Sequence, residues 1–143
     1  MSKTFKIFTS GAMGGLTYNE QMDWRLELEH LVFELTEKKV KFIHPPDFFD
    51  YDFHDQRVVK EWEINQLLDS DIVVINLSNI KNSIGTHIEL GVVQAANRLP
   101  GHHITTIGIG EPNTDHPWIK SSIFYSVKDT VEAADFICKY LLI

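Results

Sequence analysis

Cysteine is almost missing: Cys138 is the only one in 143 residues, which excludes an intramolecular disulfide and any cysteine-based zinc cluster. Its neighbours Phe136, Ile137, Tyr140 and Leu141 place it on the core side of a last helix. Long apolar runs are missing too, each being interrupted well before the ~20 residues that a membrane-spanning helix requires. Met1-Ser2-Lys3-Thr4 leads directly into a strand-like segment rather than an apolar signal core. We therefore expect a cytoplasmic protein that engages no membrane. Positive charge is scarce, with 13 Lys and Arg against 20 Asp and Glu, a net charge of −7 and a pI near 5.4. Such a surface lacks the basic footprint that nucleic-acid phosphates need, so nucleic acid is not an expected partner. No set of His, Asp and Glu has zinc-like spacing, and no repeat, linker or low-complexity tract interrupts the chain.

What is present is an alternation of strand and helix patterns over a length that suits one domain with a sizeable core. Phe5 to Thr9 reads as a first strand and Tyr18 to Lys38 as a long helix, with Met22, Leu26, Leu28, Leu31, Val32 and Leu35 at roughly helical spacing. Val40 to Ile43 is a short second strand. Pro45 and Pro46 then open a loop containing Phe48, Phe49, Tyr51, Phe53 and His54. Asp55 is placed to cap a helix from Gln56 to Leu68. Asp71 to Leu77 is a β-branched run of the kind found in central parallel strands, and a helix from Gly85 to Asn97 follows it. Ile104 to Ile109 is a fourth strand, preceded by a turn with His102 and His103. Glu111 to His116 is a polar turn, Ile123 to Ser126 a fifth strand, and Thr130 to Leu141 an amphipathic helix. Alternating elements imply a parallel sheet with helices on both faces and right-handed crossovers. We expect a single-domain, flavodoxin-like (Rossmann-like) α/β fold with five strands in the order 2-1-3-4-5.

That order brings the end of strand one, Ser10-Gly11-Ala12-Met13-Gly14-Gly15, beside the end of strand three, the crevice where open parallel sheets bind ligands. Glu89 is expected in the first turn of the helix after strand three, where the helix dipole stabilises an anion by roughly 0.3 to 1 kcal/mol. An ionised carboxylate held there is a candidate nucleophile, although the same position also suits an ordinary solvated Glu. Gly11, Gly14 and Gly15 let backbone approach a ligand and leave N–H groups free to meet its oxygens. They serve a tight strand-to-helix turn equally well. Glu63, on the helix before strand three, is the natural second carboxylate, with Glu61 two residues away on another face as its rival. Two such groups, about 5 to 5.5 Å apart in retaining glycosidases, attack a sugar C1 and protonate the leaving group.

The segment Ser83-Ile84-Gly85-Thr86-His87-Ile88-Glu89-Leu90-Gly91, following Asp71-Ile72-Val73-Val74, resembles the signature of the nucleoside 2-deoxyribosyltransferases and the related deoxynucleoside 5′-monophosphate N-glycosidases. The resemblance extends over most of the chain, and its central motif is the specific part. It implies one nucleoside 2-deoxyribosyltransferase-like domain over 1–143. It also implies that Glu89 attacks C1′ of a deoxyribosyl group to form a covalent ester. A second nucleobase, or water, then takes the sugar. Glu63 stands where the family usually has Asp, the group that exchanges a proton with the base. The implied partners are a small-molecule nucleoside or nucleotide and a nucleobase, with no metal or organic cofactor, and family members are homo-oligomers with sites completed by neighbours.

Ser83 bears on substrate charge: the nucleoside transferases tend to place Asp there for the free 5′-hydroxyl, and the monophosphate glycosidases Ser. The latter also carry an Arg in the first loop, where this chain has Met13. A Tyr that the family places at the end of strand one is replaced by Phe8 or Ile7, leaving Tyr18 either to reach back into the site or simply to start its helix. Ser10, Gly11, Met13, Gly14, Gly15, Tyr18, Ser83, Gly85 and His87 are the expected substrate contacts, His87 being equally readable as an exposed helix residue. Phe48, Phe49, Tyr51 and Phe53 read as a base-stacking lid or as cover for core or a subunit interface. Asn113, His116 and Trp118 fall in a late loop that the resemblance places near substrate, sometimes a neighbour's. Two alternatives to the transferase stand beside it: hydrolysis of deoxynucleoside 5′-monophosphates, and a nucleotide-binding or sensing domain with weak catalysis. A bare interaction module leaves the Ser83 to Gly91 pattern unexplained.

Overall fold

Strands β1 (Thr4–Ser10), β2 (Lys39–Ile43), β3 (Ile72–Asn76), β4 (Thr105–Ile109) and β5 (Tyr125–Val127) pair in parallel as one sheet in the order β2-β1-β3-β4-β5. This is the flavodoxin-like order that the sequence pattern predicts. The computed structural model describes residues 3–48 and 55–143, so Phe49, Tyr51 and Phe53 of the expected aromatic lid, and His54 of the same loop, lie outside the described residues. The helices are α1 (Tyr18–Leu35), α2 (Gln56–Leu68), α3 (Ile84–Ala96), α4 (Pro117–Ser121) and α5 (Thr130–Phe136), with short 3-10 turns over Pro45–Phe48 and Ile80–Asn82.

Successive strand residues point to opposite faces of a sheet, and the central strands use that alternation to build two cores. Ile7, Ile72, Val74 and Ile107 meet Leu28 and Val32 of α1 and Ala133 and Ala134 of α5. On the other face Phe8, Val73 and Ile75 meet Leu67 of α2 and Leu90 and Val93 of α3. Val73, Val74 and Ile75 are each no more than 1% exposed. Because full burial of such a side chain stabilises by about 1.5 to 3 kcal/mol, both faces of β3 hold its register. Gly108 in β4 is required by packing, since a Cβ there would come within 2.8 Å of Leu77.

Local chemistry sets the helix ends. Thr17 caps α1 in a reciprocal box: its hydroxyl accepts from Glu20 N and the Glu20 carboxylate accepts from Thr17 N. Asp55 caps α2 as expected, accepting from Arg57 N. Helix α1 stops at Leu35 rather than Lys38, because Thr36 turns extended and its hydroxyl accepts from Lys38 N. Leu26 and Leu35, expected on the apolar face of α1, are exposed, and Arg25 is buried with Met22, Leu28 and Val32. The last helix is not continuous, changing at Ile137 to a π-helical turn that ends at Leu141. Strand β5 is displaced to Tyr125–Val127 from the expected Ile123 to Ser126. Where the sequence shows only a polar turn and loop, His116 caps the short α4 through Nδ1 and Pro117 occupies its first turn. No helix among the described residues is long and apolar enough to cross a membrane.

Candidate active site

At the C-terminal end of the sheet Ser10 of β1 pairs with Ile75 of β3, and the loops that leave these two strands part toward opposite faces. Between them lies a cavity of about 320 Å³, within the range of small-molecule sites. Its wall is the first loop, from Gly11 to Gly14, with Glu63 of α2, the segment after β3, and Glu89 of α3. The first loop sits close against the sheet because Gly11 has no side chain: a Cβ there would stand 3.1 Å from Trp24 and 3.2 Å from the Cβ of Asn76.

Glu89 is not in the first turn of its helix. Ser83 occupies the cap position and α3 begins at Ile84, which puts Glu89 in the second turn. Its carboxylate still reaches the crevice, because helical side chains lean toward the N-terminus. Its Oε1 lies 4.0 Å from where a Gly85 Cβ would be, so the bare Gly85 leaves the carboxylate open to the cavity. Glu89 Oε2 and Ser10 Oγ are both buried without a hydrogen-bond partner among the described residues. The Ser10 hydroxyl lies near enough to favour the Glu89 anion, yet falls short of hydrogen-bond geometry. Two unpartnered polar atoms side by side are unusual in a folded interior, and a ligand would satisfy them.

Burial, reinforced by the negative charge of Glu63, pushes the Glu89 carboxyl up to about 8. Residue-wide, Glu89 is only half-buried, but the deep carboxylate oxygen is the atom that burial acts on. Glu63 is also raised by burial, and the positive charge of Arg25 opposes this. Arg25 is fully buried; burial lowers it to about 10, while Glu89, Glu63 and Asp47 act to raise it, so it remains charged at neutral pH. One cation thus faces two carboxyls, and near neutrality the pair retains a proton that belongs to both.

Arg25 is the functional-site residue that the helix pattern passes over. Its Nε donates to Thr9 Oγ1 at 3.1 Å and its Nη2 to the Gly11 carbonyl at 3.4 Å, and Nη1 donates to the Gln21 carbonyl. The sequence signal is its place in the stripe Met22, Arg25, Leu28, Val32. Thr9 Oγ1, which accepts from Arg25, donates to the Ile43 carbonyl at 3.3 Å and shares a 2.8 Å hydrogen bond with His44 Nδ1. Burial drives His44 down to about 4, so it is neutral at pH 7, and the 3.6 Å approach of Glu29 to its Nε2 is not an ion pair.

The expected contacts divide into two groups. Gly11, Met13, Gly14, Ser83 and Gly85 line the cavity with Glu63 and Glu89, and Ser10 lies buried beside Glu89. Gly15, Tyr18 and His87 do not line it. Gly15 serves the turn, with φ +79. Tyr18 donates to Asp47 Oδ1 at 2.6 Å, which holds its hydroxyl at the surface and raises its pKa. His87 lines a different cavity, since it lies two residues from Glu89 and hence on another face of α3. Glu61 is exposed and 3.6 Å from Lys60 Nζ, which leaves Glu63 as the second carboxylate. Ile7 and Phe8 are both fully buried in the cores. Phe48 rests on Trp62 with ring centroids 4.3 Å apart.

The segment after β3 supplies residues the sequence did not single out. Asn79 adopts the left-handed conformation, φ 59, which Asn tolerates better than most residues. Its Oδ1 accepts from Asn82 Nδ2 at 2.8 Å and Asn113 Nδ2 at 3.3 Å, and Asn113 Oδ1 accepts from Lys81 N at 2.8 Å. Asn113 is thus a brace for the loop. Ser83 Oγ and Thr86 Oγ1 share a hydrogen bond of 2.6 Å. Among the described residues no three His, Cys, Asp or Glu side chains gather to hold a metal ion. Compared with known proteins, the chain matches no family model and no curated protein.

Proposed function

We propose that the chain cleaves the N-glycosidic bond of 2′-deoxynucleosides through a covalent Glu89–deoxyribosyl ester and passes the sugar to another nucleobase. The observation that carries this reading is the pair Glu89 and Glu63 facing one ligand-sized cavity, with Glu89 Oε2 and Ser10 Oγ unpartnered among the described residues. The resemblance of Ser83 to Gly91 to the deoxyribosyltransferase signature supplies the chemistry. The reacting form is the pair with its one proton shifted from Glu89 to Glu63: ionised Glu89 then attacks C1′, the C1′–N bond breaks as the C1′–O bond forms, and Glu63 gives that proton to the departing base. The acceptor base then attacks C1′ from the opposite side, expelling the Glu89 carboxylate while Glu63 recovers a proton. Two inversions give net retention. None of the described residues lining the cavity is Lys or Arg, which favours an uncharged nucleoside over its dianionic 5′-monophosphate beside two carboxylates.

Both carboxyl groups raised by burial imply a bell-shaped dependence of kcat/KM on pH. The active form holds one proton on the pair, so activity falls in acid as both become protonated and falls again above about 8 as both ionise. The direct assay is incubation with a 2′-deoxynucleoside with and without a free acceptor base. Exchange of bases is expected. Released base without an acceptor would assign the hydrolase, and binding with neither product the sensing domain.

A further inference from the structure

A second cavity, of about 450 Å³, lies across the Ile80–Asn82 turn from the first and is walled by α3 and α4. Three residues singled out from the sequence but left unused by the chemistry above converge there: His87, His116 and Trp118. Leu90 and Ile119 supply apolar wall, and Lys81 stands at the edge. We infer that this cavity is a binding site for a planar aromatic ligand carrying an anionic group, such as a nucleotide or a heteroaromatic carboxylate.

Four observations point to that class. Trp118 is 77% exposed, an uncommon state for an indole, and an exposed indole face offers stacking to a flat ring. His87 Nε2 is buried without a hydrogen-bond partner among the described residues, so a polar edge of the ligand would complete it. The Nδ1 of His116 accepts from Trp118 N at 3.2 Å, so the proton of its neutral form resides on Nε2, a donor free to meet an anion. Among the described residues the Lys81 ammonium pairs with no carboxylate and no Asp or Glu lines the cavity. On a chain of net charge −7 a concave site walled by Lys and His without a carboxylate selects for negative charge. Lys81 also connects the site to the loop of the first cavity, because its backbone N–H is bound by Asn113.

The test is calorimetric titration of the full chain with adenosine 5′-monophosphate and with orotate, which present a ring with a sugar-borne phosphate and a ring with its own carboxylate. Adenine and inorganic phosphate serve as half-ligand controls. At least one of the first two binds at millimolar concentration or below, more tightly than either half. Trp118→Ala and Lys81→Met, both at exposed positions, each weaken it by about tenfold or more with unchanged thermal unfolding, and Glu63→Gln leaves it unaltered. Absence of binding by both probes, binding indifferent to both variants, or binding abolished by Glu63→Gln would each overturn the assignment.

Discussion

The two cavities on either side of Ile80–Asn82 share a loop and one helix, α3, yet have opposite chemistry. The smaller presents Glu63 and Glu89 with the charge of Arg25 buried behind them, and its polar atoms are deep and unpartnered. The larger presents Lys81, His87, His116 and an exposed Trp118, with no carboxylate among the described residues that line it. The difference rests on helical phase. Gly85 and Glu89 share one face of α3, four residues apart, whereas His87, Leu90 and Gly91 share another. A step of two residues along one helix therefore moves a side chain from one cavity to the other. The two also differ in energetic character: desolvation of Glu89 stores destabilisation of the kind expected where a group is prepared for chemistry.

Removing the carboxylate from the acidic side gives the largest effect. Glu89→Gln is expected to reduce turnover by at least about a thousandfold while leaving ligand binding in the basic cavity unchanged; steady-state kinetics and calorimetry on the same preparation measure both. Glu63→Gln comes next, with a loss of about 10² to 10⁴ in kcat. Because the Glu63 charge helps raise Glu89, this variant also lowers the Glu89 pKa and removes the alkaline fall in the pH–rate profile. Retention of that fall would show that another group sets it.

Stability supplies a smaller effect of known sign. The Glu89 pKa is raised from its ordinary 4.5 to about 8 in the folded chain. Below about 4.5 the carboxyl is protonated in both states and carries no penalty. As pH rises toward and through 8 the unfolded chain has released a proton that the folded chain keeps, and stability falls. Glu89→Gln is thus expected to stabilise the ligand-free protein at pH 8 to 9 by about 1 to 3 kcal/mol, allowing for the half-buried state of the residue, and to bring no gain at pH 4. Chemical denaturation at the two pH values measures it. The smallest effect belongs to Glu61→Gln. Exposed beside Lys60, it is expected to leave kcat/KM within about twofold and stability within about 0.5 kcal/mol.

Which parts were legible in the sequence follows from how local their causes are. The order of the sheet follows from alternating patterns and from the unbroken β-branched run of β3, and α2 from Gln56 to Leu68 follows from its Asp55 cap. The association of Glu89, Glu63, Ser83 and the first loop is likewise set by the topology. Arg25 was passed over because charge argues against burial, whereas here Thr9, Gln21 and Gly11 satisfy its donors. Asn79 has no local signal in the sequence, because its hydrogen bond to Asn113 joins segments 34 residues apart. His87 lines the other cavity and Glu89 stands in the second turn of α3 for one reason: a motif fixes the neighbourhood of a side chain, and the start of its helix fixes which way it faces. Helix α4 rests on a His-Pro cap that reads equally well as a turn.

The central claim is that Glu89 Oε attacks the sugar. It is tested most directly by acid-quenching the protein during turnover of a 2′-deoxynucleoside and mapping its peptides by mass spectrometry. A deoxyribosyl ester on Glu89, absent from Glu89→Gln and discharged on adding an acceptor base, is the predicted result; continued turnover with the adduct on another residue, or undiminished turnover by Glu89→Gln, would contradict it.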